Sequence, residues 1–174
     1  PAISLSHLKR SKLICDLCTA AGGGTAHARY LRFIENNEDG DSAVIGVMQV
    51  DIEGNIGLKV GVTTRTLEDR YGYALKTIFL KLESKEWHVY FIENRVKRKF
   101  AKFKDNTILG KGLRGELNNG NRWGGDTEIF QTDKQQEIID FIINLADDIK
   151  FNRVSELEFR EEADHFISIN FEPH

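Results

Sequence analysis

The spacing of apolar residues changes character along this chain, and each change predicts a different kind of element. From Ser4 to Ala20, Leu5, Leu8, Leu13 and Leu17 form an imperfect helical stripe, with Ser4 placed to cap it. Gly22-Gly23-Gly24 ends that run, because three consecutive glycines lose too much backbone entropy inside a helix. Thr25 caps a second helical stretch, Ala26 to about Asn36, which turns Tyr30, Leu31 and Ile34 inward. The polar run from Asn36 to Asp41 reads as a linker. Residues 1–41 are therefore expected to form a helical hairpin, with a DNA-binding arm as its candidate role.

From Ala43 the pattern becomes β-branched. Ala43–Val50 and Ile56–Val62 read as two strands joined by a turn at Glu53-Gly54-Asn55. A short helix opens at Thr66 and runs to Tyr71, and Thr77–Leu82 reads as a third strand. Trp87 to Phe103 carries the strongest helical signal, with Trp87, Phe91, Ile92, Val96, Phe100 and Phe103 near helical spacing. Residues 105–125 are rich in Gly and Asn, and a loop of that length in a compact domain is usually functional or disordered. A short strand at Glu128–Phe130 precedes Thr132-x-x-Gln135, the pattern of a capping box. The helix behind it, Asp133 to about Ile149, sets Ile138, Ile142, Leu145 and Ile149 on one face, and an acidic last helix is expected over 156–164. The fold class that follows is α+β, a small antiparallel sheet flanked by helices. Its expected divisions are an N-terminal hairpin (1–41), a sheet domain (42–131) and a C-terminal helix with an acidic segment (132–174).

The 174 residues suffice for one ordinary core, and 40% hydrophobic with 29% charged content is globular in kind. No apolar run approaches the roughly 18 residues that cross a bilayer, so no membrane partner is expected. Pro1-Ala2-Ile3-Ser4 has no basic start followed by an apolar stretch, which predicts no secretory signal. Two cysteines, Cys15 and Cys18, are too few for a disulfide framework, so a reducing cytoplasm is the expected location. Net charge is −3, yet residues 59–114 hold fourteen Lys/Arg against six Asp/Glu, while residues 115–174 hold five against fourteen. A basic middle third offers a surface for phosphate groups; the alternative is a lysine-rich helix face in water.

Gly46-Val47-Met48, ten residues, then Lys59-Val60-Gly61 fall on the predicted hairpin, followed by Thr63-Thr64-Arg65 and, on the short helix, Arg70. Glu93 follows on the long helix beside basic residues, and Thr127-Glu128-Ile129-Phe130 stands before the last long helix. Over Val44 to Phe130, half the chain, this series resembles the GIY-YIG nuclease superfamily, and most of all its phage and homing-endonuclease-like branch, with its K-[VI]-G and T-T-R sequence. The resemblance implies a metal-dependent DNA endonuclease with Lys59, Arg70 and Glu93 as catalytic residues and Glu93 holding Mg²⁺ or Mn²⁺. It departs at Met48, where the family has a tyrosine that handles the proton of the attacking water. A thioether has no exchangeable proton, so Tyr71, Tyr73 and Tyr90 become the candidates for a phenol from another position.

Elementary chemistry gives these residues the same tasks. Phosphodiester hydrolysis needs a divalent cation, a charge to stabilise the crowded phosphorus and a base for the water. A glutamate offers hard oxygens to Mg²⁺, an arginine a two-pronged grip on a phosphoryl oxygen, and a lysine a point charge. Each has a plainer alternative: Glu93 and Lys97 as a surface pair four residues apart, Arg70 as a solvated side chain, Lys59 as a charge guarding a strand edge. Arg65, Lys97, Arg98, Lys102, Lys104, Lys111, Arg114 and Arg122 are the candidates for contact with double-stranded DNA.

Cys15-x-x-Cys18 with His27, and His7 upstream, contains zinc-ligand types, but a second close ligand pair is missing, and the reading prefers two small core cysteines. The glycines at 22–24 follow no strand, which argues against a phosphate loop there. Two further functions compete with the nuclease. One is a catalytically silent, repressor-like DNA-binding protein derived from the same scaffold. The other is a protein-interaction module in which the acidic C-terminal segment meets a basic partner, or its own basic face in a homodimer.

Overall fold

The structure is a computed structural model, and it describes residues 41–105, 115–116, 122–123, 128–155, 157–159 and 161–162. Contacts divide the chain into two units, Asp41–Arg153 and a second that combines 1–40 with 154–174. The expected N-terminal hairpin lies outside the described residues. In the second unit, residues 157–159 and 161–162 are helical, within the stretch predicted as an acidic helix.

Within Asp41–Arg153, strand β1 (Ser42–Ile52) turns back into β2 (Asn55–Thr63) through Glu53 and Gly54. Both turn residues have positive φ, 54° and 87°, the backbone twist that lets a two-residue loop join right-twisted strands. Helix α1 (Leu67–Tyr71) follows, with the Thr66 hydroxyl accepting from the Asp69 N–H at its start. Then come β3 (Leu75–Lys85) and helix α2 (Glu86–Lys99). After a 3-10 turn at Ala101–Phe103 lie a two-stranded ladder of β4 (Gly115–Glu116) with β5 (Arg122–Trp123), strand β6 (Ile129–Phe130) and helix α3 (Gln135–Lys150). The main sheet is antiparallel in the order β3-β1-β2-β6. The expected α+β class, a small antiparallel sheet with helices about it, is what forms.

An alanine at position 54 would have to hold a φ that L side chains rarely adopt. Gly54→Ala is expected to lower the unfolding free energy by about 1 kcal/mol, read as a fall in denaturant midpoint with an unchanged slope.

Alternation along the strands divides the core. Met48, Val50 and Ile52 from β1 meet Ile129 of β6 on one face, and Leu67, Tyr71 and Ala74 complete that cluster. Ile45, Val47, Leu58, Val60 and Val62 fill the opposite face and are buried as well. Strand β3 reaches both faces because two irregularities in its pairing with β1 break the period of two. Leu82 and Leu80 pair with Ile45 and Val47, whereas past the first irregularity Ile78 pairs with Met48 and joins its cluster. Uniform alternation would have put Ile78 and Leu80 on one face.

Helix α2 packs on the sheet and against α3, and is buried round most of its circumference, from Trp87 through Val96. It ends at Lys99, four residues before the expected Phe103. The cause is competition for backbone partners: Gln131 N–H donates to Phe103 O at 2.9 Å and Asp105 N–H to Ile129 O at 3.0 Å, which draws the chain out beside β6. Phe100, at the break, packs edge-on against Phe130 at 6.5 Å and Phe141 at 5.9 Å between ring centres, joining α2, β6 and α3. The capping box at Thr132 does not form. A 3-10 turn occupies Thr132–Lys134, and α3 starts at Gln135 without a side-chain cap.

Candidate functional site

Helix α1 reaches the sheet because two glycines make room for it. Gly46 and Gly61 stand directly opposite each other on β1 and β2. A Cβ on Gly46 would run into the Leu67 side chain, lying 2.9 Å from Cδ2; a Cβ on Gly61 would meet the Tyr71 hydroxyl and lie 2.7 Å from its Cζ. The two glycines of the hairpin motif are thus the notches that take the two buried side chains of α1. Arg70 lies between these two side chains in sequence and is exposed.

Lys59 lies on β2 opposite Met48 on one side and Ile129 on the other. Its side chain is only 1% exposed, and Nζ donates to Glu128 Oε2 at 2.7 Å. Glu128 comes into range because β6 pairs with β2 in that register. Its other oxygen, Oε1, lies 3.0 Å from Lys97 Nζ, and the same ammonium donates to Glu93 Oε2 at 3.0 Å. Four charges therefore alternate in a chain, Lys59–Glu128–Lys97–Glu93, and cancel. Burial pushes the Lys59 ammonium below its ordinary value, against the pull of Glu128. Lys97 also loses hydration, but Glu93 and Glu128 together outweigh that loss and hold it well above its ordinary value.

Arg70 and Tyr71 complete the group. Arg70 Nε donates to the Tyr71 hydroxyl at 3.1 Å, and the guanidinium carbon lies 5.5 Å from the centre of the tyrosine ring. The Lys59 ammonium is 6.0 Å from the same ring centre. Burial raises the Tyr71 phenol above its ordinary value, while Arg70 opposes the shift. The field of Glu93 acts on both Lys59 and Arg70, so the three residues expected to carry catalysis share one electrostatic neighbourhood. Arg70 is exposed, and among the described residues its guanidinium has the Tyr71 hydroxyl as hydrogen-bond partner and no carboxylate in ion-pair range. Among the described residues, Arg70 adds a positive charge beside this balanced quartet.

The expected DNA-contacting residues divide. Lys97 is half-buried in the quartet. Arg98 and Lys99 are exposed and project from the other side of α2, given about 3.6 residues per turn. Lys99 lies 4.2 Å from the centre of the Phe141 ring. The basic run is therefore not one continuous helix face. Lys102 is exposed and lies over the Phe103 ring at 4.9 Å, with Lys134 at 4.6 Å from the same ring. Arg65 is exposed just before α1, and Lys104 is half-buried where the chain runs beside Phe130. Arg122 falls on β5, and Lys111, Arg114, Cys15, Cys18 and His27 lie outside the described residues.

Met48, where the resemblance implies a tyrosine, is completely buried in the cluster beneath α1. Of the three tyrosines weighed as replacements, Tyr71 is the one in direct contact with Arg70. Glu128 is the site residue that sequence reasoning passed over as part of a closing strand. A lysine in a buried strand demands a carboxylate, and Glu128 sits beside the apolar strand that pairs with it.

Among the described residues no group of three or more His, Cys, Asp or Glu converges as a metal centre, and no helix is long and apolar enough to cross a membrane. Comparison with protein-family models, with curated proteins and with solved structures finds no match to this chain.

Proposed function

We propose that the chain acts on double-stranded DNA as a metal-dependent endonuclease of the GIY-YIG type, taking the phosphodiester at Arg70. The observation that supports this reading is the unequal fate of the site's charges. Four are paired with one another, and beside them Arg70 is exposed with no carboxylate in ion-pair range among the described residues. A guanidinium can donate two parallel hydrogen bonds to phosphoryl oxygens, and its charge opposes the negative charge that grows on them during hydrolysis.

Glu93 is the residue that would hold Mg²⁺ or Mn²⁺. Its carboxylate meets Lys97 through Oε2, and the Mg²⁺ type of site asks for one or two carboxylates with water in the remaining positions. When bound, such an ion supplies Lewis acidity to the phosphate and acidifies water. Lys97 holds Glu93 in place, and Glu128 holds Lys97. Lys59 works from beneath: at 1% exposure it fixes Glu128 rather than meeting substrate. Arg65, Lys102 and Lys104, with Arg98, supply charge for neighbouring phosphates.

The burial of Met48 favours a second reading, a silent DNA-binding protein, because no phenol stands at that position to handle a proton. Plasmid nicking with Mg²⁺ or Mn²⁺, run beside a mobility shift, separates the two. The nuclease reading expects metal-dependent nicking that Glu93→Ala abolishes while the shifted band persists. Salt-sensitive binding without nicking under either metal establishes the silent form instead, and no binding at all removes both.

A further inference from the structure

We infer that Tyr71 is a positioning residue, whose hydroxyl, seated in the notch at Gly61, aims the Arg70 guanidinium at its phosphate. The inference rests on the reading of Arg70 as the phosphate-binding residue and adds what makes that arginine effective. Arginine on a five-residue surface helix ordinarily samples many rotamers, and ordering it on binding costs free energy. Here the Nε edge is already fixed. Nε donates to Tyr71 Oη at 3.1 Å, and the guanidinium carbon stands 5.5 Å from the ring centre. With Nε taken, the two terminal nitrogens remain as the pair able to grip two oxygens of one phosphate.

Tyr71 can play this part because it is itself immobile. It is 4% exposed and packs in the cluster with Leu67, Met48 and Ile129. Its hydroxyl lies so close over Gly61 that a methyl group there would collide with it. The glycine of Lys59-Val60-Gly61 is thereby explained by the space the phenol occupies. Any larger residue at position 61 would push the hydroxyl, and the guanidinium resting on it, out of place.

The test is binding of a fluorescent DNA duplex by the full chain in chelator, which removes hydrolysis from the readout. Four proteins are compared: wild type, Tyr71→Phe, Arg70→Ala and the double variant. Phenylalanine keeps the ring over Gly61, so an unchanged thermal melt certifies the fold. Tyr71→Phe is expected to weaken binding about tenfold in the wild-type background and to add nothing once Arg70 is alanine. Gly61→Ala should reproduce the tyrosine variant's loss. If Tyr71→Phe binds like wild type, or weakens the Arg70→Ala protein by as much again, the positioning role is overturned while Arg70 keeps its own. If Arg70→Ala binds like wild type, the phosphate reading falls and the inference with it.

Discussion

Replacing Glu128 by alanine is expected to cost the folded chain about 3–5 kcal/mol, measured by denaturant unfolding at neutral pH. The change takes away the carboxylate on which the Lys59 ammonium rests at 2.7 Å, in a place where that lysine is 1% exposed. Lys97, a quarter exposed, can turn to water; Lys59 cannot. The loss should depend on pH in a definite direction. Lys59 already sits below its ordinary value of 10.5, and losing Glu128 lowers it further. A lysine with a folded value below its unfolded one binds fewer protons folded than unfolded between the two, so stability rises with pH across that window. The penalty is therefore full below the folded value, and the deficit of Glu128→Ala shrinks as pH climbs toward 10.5. Changing both partners, Lys59→Met with Glu128→Leu, is expected to restore most of the loss, because the buried lysine charge goes with its carboxylate while Lys97 keeps Glu93. A deficit under about 1 kcal/mol would show that the Lys59 ammonium does not depend on Glu128.

The second large effect is on chemistry. Arg70→Ala is expected to reduce metal-dependent cleavage roughly 10²–10³-fold, the range seen when one preorganised donor to a developing negative charge is removed. Stability should hardly change, since Arg70 is exposed and its partner among the described residues is Tyr71, through hydroxyl and ring. Arg70→Lys is expected to recover only part of the rate: a lysine keeps the charge but not the planar fork, and cannot rest an Nε edge on the phenol. Nicking rates under single-turnover conditions make the comparison. Equal rates for wild type and Arg70→Ala would show that the arginine is a solvated side chain.

What could be read from the chain follows from how local each signal is. The β1–β2 hairpin was evident because β-branched runs flank Glu53-Gly54, and the turn geometry depends on those two residues. The short α1 was evident in the run from Thr66 to Tyr71, and the Thr66 hydroxyl caps it. The irregular register of β3 was not, because Ile78, Leu80 and Leu82 keep a regular alternation while the departures come from pairing with β1. Nor was the end of α2 at Lys99: helical spacing runs on to Phe103, and the hydrogen bonds that stop it come from residues 129–131.

The site divides in the same way. Spacing singled out Lys59, Arg70 and Glu93 as candidates, and in the fold the charge of Glu93 acts on both of the others. Their surroundings were hidden in long-range contacts. Lys59 meets Glu128 across 69 positions, and Lys97 answers two carboxylates instead of the single helical neighbour its spacing suggests. The basic middle and acidic last third of the chain partly neutralise each other at Glu128.

Whether the Arg70 guanidinium meets a phosphate is tested most directly by the salt dependence of DNA binding. Wild type and Arg70→Ala are titrated onto one duplex across a series of salt concentrations. Losing one phosphate contact should make the slope of log affinity against log salt shallower by about 1, with weaker binding at low salt. Superimposable lines for the two proteins would contradict the account, since the guanidinium would then release no counterion when DNA binds.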